Sequence, residues 1–119
     1  MTNRVSVYYN LHKKCLSVRS MFGDSYGRVI QHRKAVILKD VKFVVSESGR
    51  QRVLREKRKN VHAFIRGELW DDTVGLGIKQ VLVTYNPYKF DSFVEAESLQ
   101  PILSAEYVKI DGKKIIAYV

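Results

Sequence analysis

Apolar residues in this chain recur mostly at every second position, and that period limits it to a fold built largely of strands. "RVSVYYN" places Val5, Val7 and Tyr9 on one face, and "KQVLVTY" does the same with Val81, Val83 and Tyr85. "VHAFIRGEL" alternates Val61, Ala63 and Ile65. In "AVILKDVKFVVS", Val41, Phe43 and Val45 share a face and Lys42 sits between them on the other. Side chains in a strand point alternately to opposite faces, so such runs suit sheets with one buried side.

Turn chemistry divides the strands. Residues 4–20 read as a hairpin around the polar turn "NLHKK". "FGDSYG" is a turn or short loop, with strands near 28–32 and 35–45 behind it. "WDDTVGLG" and "NPYKFDS" read as loops, the second because Pro87 lacks a ladder donor and fixes its own φ. Asp111-Gly112, between two β-rich runs, predicts a two-residue type I′ hairpin.

One segment breaks the period. Ser46 is a natural N-cap and Glu47 suits a first turn, which predicts a helix over 47–58 with Asn60 as its end. Only Val53 and Leu54 are apolar there, so both are expected to anchor the helix to the sheet. The expected fold is α+β, mainly β, in a single domain spanning 1–119. It is a curved antiparallel sheet or small β-barrel of six to eight strands, with one short helix inserted after the fourth.

The helix also carries the charge. Six of the ten residues from Arg50 to Lys59 are Lys or Arg. Residues 1–66 hold 16 cations against 4 carboxylates, a net of +12, while residues 67–119 hold 5 against 8, a net of −3. A basic half attracts nucleic acid, nucleotides or an acidic protein surface. The expected phosphate-binding residues are Arg50, Arg52, Arg55, Arg58 and Lys59, joined by Tyr88 and Lys89 as an exposed stacking edge.

Other chemistry finds little support. The single Cys15 forbids an internal disulfide and leaves no cysteine cluster for zinc. His12, His32 and His62 are scattered, and Asp71-Asp72 shows no metal-binding spacing. "GLGIKQ" has only the first two glycines of a dinucleotide fingerprint. No catalytic residues, metal or cofactor are expected, and the balance weighs against an enzyme. No apolar run approaches the roughly 18–20 residues of a membrane span, and the N-terminus lacks a signal-peptide core.

The stretches "YYNLHKKCLSVRS", "AVILKDVKFVVSESGRQRVLREKRKNVHAFIRGEL" and "YNPYKFDSFV" resemble a family of small, functionally uncharacterised proteins of tailed bacteriophages. The resemblance implies a phage origin and the bacterial host cytoplasm as the setting, and it transfers no catalytic residues. The expected role is a non-enzymatic binding module for nucleic acid or phosphorylated ligands. Two alternatives stand beside it: a protein that binds and inhibits a host defence or transcription component, and an oligomeric nucleotide binder.

Overall fold

A computed structural model of the chain describes residues 4–58, 61–72, 77 and 79–118. The described residues form one open antiparallel sheet of nine strands with a single α-helix. In chain order the strands are β1 (Arg4–Asn10), β2 (Cys15–Ser20), β3 (Val29–Arg33), β4 (Ala35–Val45), β5 (Ala63–Leu69), β6 (Gln80–Thr84), β7 (Val94–Glu95), β8 (Ser104–Asp111) and β9 (Lys114–Tyr118). The helix α1 (Glu47–Glu56) follows β4, and a single 3-10 turn (Gly23–Ser25) precedes β3. Spatial order is β3-β2-β1-β5-β4-β8-β9-β6-β7, so the sheet ends in two edges and does not close into a barrel. The two-residue β7 escapes a reading based on periodicity, because so short a strand has no period.

The core lies on one face. Val5 and Val7 of β1, Leu16 and Val18 of β2, Val36, Leu38, Val41 and Phe43 of β4, and Val108 and Ile110 of β8 are all buried in one cluster. Phe93 completes it from the segment after β6. β4 holds this face through a change of phase. Lys39 pairs with Glu68 and Lys42 with Arg66, so three steps on β4 match two on β5. The extra residue is a bulge at Asp40, whose φ is 53°. It keeps Leu38 and Val41 on the core side and leaves Lys39 and Lys42 both facing away.

Gly67 on β5 makes room for that bulge. A Cβ there would stand 3.0 Å from the Lys39 carbonyl oxygen, 3.1 Å from Leu38 Cβ and 3.2 Å from Val41 Cγ2. Arg4 of β1 steadies the bulge from across β5, donating from Nη1 to the Asp40 carbonyl at 3.1 Å.

The last hairpin is shifted by one residue from the expected one. Asp111 pairs with Lys114, so the central residues are Gly112 and Lys113. Only Gly112 has positive φ, at 59°. That is the Gly-first pattern of a type II′ turn, whereas type I′ needs positive φ at both positions.

Candidate functional site

Helix α1 starts as its sequence dictates: Ser46 Oγ accepts from the Gly49 N–H at 3.3 Å. It ends earlier than the basic run. Lys57 takes a left-handed conformation and its N–H caps the Val53 carbonyl. Arg58 therefore lies beyond the helix, while Lys59 and the expected end at Asn60 fall outside the described residues. Val53 is the buried anchor and Leu54 is only half-buried, because the short helix turns one narrow stripe inward.

The cations of this segment divide into two kinds. Arg50, 16% exposed, is committed inward. Its Nε donates to the Pro87 and Phe90 carbonyls at 3.0 and 2.9 Å, and its Nη1 meets Glu47 Oε1 at 3.0 Å. It fastens the helix to the turn at 86–90. Arg52 is exposed but paired with Glu56 at 3.1 Å. Arg55, Lys57 and Arg58 are exposed, with no ion pair or side-chain hydrogen bond among the described residues. The Glu47 carboxyl is held below its ordinary value, chiefly by the hydrogen bond from Gln51 and, against some desolvation, by the Arg50 charge.

The turn after β6 is built on Asn86. Its side-chain oxygen accepts from the Tyr88 N–H at 2.9 Å, and its carbonyl accepts from the N–H groups of Lys89 and Phe90. Tyr88 (60% exposed) and Lys89 project outward, while Phe93 returns to the core against Phe43 and Tyr85, each at 5.2 Å between ring centres. Tyr85 OH lies 2.7 Å from His62 Nε2. Burial pushes the Tyr85 phenol up to about 12, against the pull of the Arg50 charge.

A second basic feature lies on the sheet, where sequence reading did not look. Ser6 pairs with Arg19 on one side and Arg66 on the other, and Arg66 pairs with Lys42. Directly opposed residues share a face. The face away from the core therefore carries a row Arg19–Ser6–Arg66–Lys42 across β2, β1, β5 and β4. Strands stand about 4.8 Å apart, so the row is about 14 Å long. Arg66 and Lys42 are exposed and have no hydrogen-bond or ion-pair partner among the described residues. Arg19 donates from Nε to the Gly27 carbonyl at 3.1 Å and rests 5.9 Å from the Phe64 ring centre. Beneath them, the Ser6 hydroxyl is buried (residue 2% exposed) and has no hydrogen-bond partner among the described residues. The next row holds Tyr8 and Phe64, half-buried and edge-to-face at 6.0 Å. The signal was faint: these cations stand singly in four different strands, and only register brings them together.

Other polar groups have local work. Asp71 accepts from Arg33 and from the Ile37 N–H, tying the segment after β5 to β4. His32 Nδ1 lies 3.3 Å from Ser17 Oγ and 4.0 Å from Cys15 Sγ. Among the described residues, no three His, Cys, Asp or Glu side chains gather closely enough to hold a metal ion.

A family model described as "Mycobacterium phage L5 gene 82 protein" matches residues 1–118. The chain belongs to this family. It is 42% identical over 124 residues to the "Gene 82 protein" of Mycobacterium phage L5, covering 96% of this chain and 94% of that protein. No solved structure matches it. Membership in the gene 82 family gives the chain its bacteriophage origin. No helix among the described residues is long and apolar enough to cross a membrane.

Proposed function

We propose that this gene 82 family member is a non-enzymatic module that binds nucleic acid through its phosphates. The observation that carries the reading is a group of exposed cations on and just after α1 and on the outer face of β4 and β5 that have no acidic partner among the described residues: Lys42, Arg55, Lys57, Arg58 and Arg66. All lie in the basic half of the chain. Unpaired surface cations neutralise phosphates and release condensed counterions, a gain that depends little on sequence. Tyr88 beside Lys89 adds an exposed ring on which a base can stack, while the ammonium meets a phosphate. Arg50 and Arg52 contribute less in this reading, since their guanidiniums are already engaged.

Purification tests it. Protein taken from its bacterial host without nuclease should carry nucleic acid, visible as excess absorbance in the nucleic-acid band and removed by high salt or nuclease. Protein that emerges free of nucleic acid, but with a host protein that survives nuclease, would replace this reading with the host-protein alternative.

A further inference from the structure

We infer that the outer face of β2–β1–β5–β4 seats a backbone phosphate of single-stranded nucleic acid between Arg19 and Arg66, over the hydroxyl of Ser6. The inference rests on the proposed nucleic-acid binding and gives it a location that the basic helix does not.

Three observations converge on this place. First, Arg19 and Arg66 flank Ser6 on adjoining strands, so their Cα atoms stand about 10 Å apart with a short side chain between them. Long cationic side chains rooted at that separation can lean over the gap and meet one anion from both sides. Second, Lys42 lies directly opposite Arg66. Like charges so placed repel, and an anion held against Arg66 offsets part of that repulsion. Third, the Ser6 hydroxyl is buried and has no hydrogen-bond partner among the described residues. A hydroxyl taken from water without a partner is costly, and a phosphate oxygen in the gap would accept its hydrogen.

The neighbouring row favours a single strand over a duplex. Tyr8 and Phe64 lie beside the cations on the same face, and Arg19 reaches toward the Phe64 ring. A base already stacked in a duplex hides its π-face from such rings, whereas a splayed base exposes it. A phosphate over Ser6 would place the attached nucleotide's base near Tyr8.

The test measures binding of a fluorescent single-stranded oligonucleotide to the parent protein and to three variants: Lys42→Ala/Arg66→Ala, Ser6→Ala, and Arg55→Ala/Arg58→Ala. Circular dichroism melting checks that each is folded. Lys42→Ala/Arg66→Ala should weaken binding roughly tenfold or more and lower the log–log salt slope by about 1.4, at about 0.7 per cation for a single strand. Ser6→Ala should weaken it by about tenfold while leaving the slope unchanged. An unlabelled duplex of the same length should compete less well than the single strand. If the sheet variants bind within twofold of the parent while the helix variant loses binding, the proposed function stands and this site falls. If Ser6→Ala alone binds like the parent, the hydroxyl has no part and the seat is wrong. If the parent binds no oligonucleotide, the proposed function falls as well.

Discussion

Lys42 and Arg66 stand directly opposite one another on β4 and β5, both exposed on the face away from the core, and neither has an acidic partner among the described residues. Like charges in this position cost a sheet a few tenths of a kcal/mol, up to about 1 kcal/mol. Lys42→Glu should therefore stabilise the fold by roughly that amount in low salt. Urea unfolding at two ionic strengths checks it. The gain should shrink in high salt, where the repulsion is already screened. The same variant should bind polyanions more weakly than the parent, so stability and binding should move in opposite directions.

Gly67→Ala tests the bulge. The added methyl would press on the Lys39 carbonyl, Leu38 and Val41 at 3.0–3.2 Å, in a place where backbone cannot easily yield. Overpacking of this kind costs about 1–3 kcal/mol. The change should appear as a lower urea midpoint.

Arg50→Ala and Arg55→Ala should behave differently although both lie in one basic run. Removing Arg50 leaves the Pro87 and Phe90 carbonyls without their donor and detaches α1 from the turn. A loss of roughly 1–3 kcal/mol is expected for the partly buried, charge-assisted contacts. Arg55→Ala should change stability by less than about 0.5 kcal/mol. Thermal melts of the two variants side by side decide the matter.

Tyr85 should titrate late. Its phenol has a value of about 12 in the fold against an ordinary 10, because burial disfavours the phenolate. The folded state thus holds its proton more tightly than the unfolded state. The corresponding stability is fully present below pH 10 and is lost as pH rises toward 12. Ultraviolet titration of the phenolate band should show one component at higher pH that Tyr85→Phe removes.

Much of the fold was legible because burial on one side of a strand writes itself as a period of two. Val5 and Val7, or Val81 and Val83, fall on the alternation, and Ser46 announced its helix through the chemistry of its hydroxyl. The bulge at Asp40 was less legible: the step from Leu38 to Val41 breaks the alternation, but only pairing with β5 reveals an inserted residue. The hairpin slipped by one position because Asp-Gly and Gly-Lys turns are separated by backbone dihedrals that the sequence does not carry. The site was legible only in part. Charge density drew attention to residues 50–59, yet density does not say which guanidiniums are free. Arg50 proved to be a fastener, and Arg52 has Glu56. The row of Arg19, Arg66 and Lys42 was invisible because its cations are spread over the chain from position 19 to position 66, and register alone assembles it.

The claim that this protein binds nucleic acid through phosphates is tested most directly by the salt dependence of its affinity for a labelled single-stranded oligonucleotide. The logarithm of the binding constant should fall linearly with the logarithm of salt concentration. For single strands the slope is about −0.7 per phosphate neutralised, so about four to five engaged cations predict a slope near −3. A slope near zero, or no binding at low salt, would contradict the account.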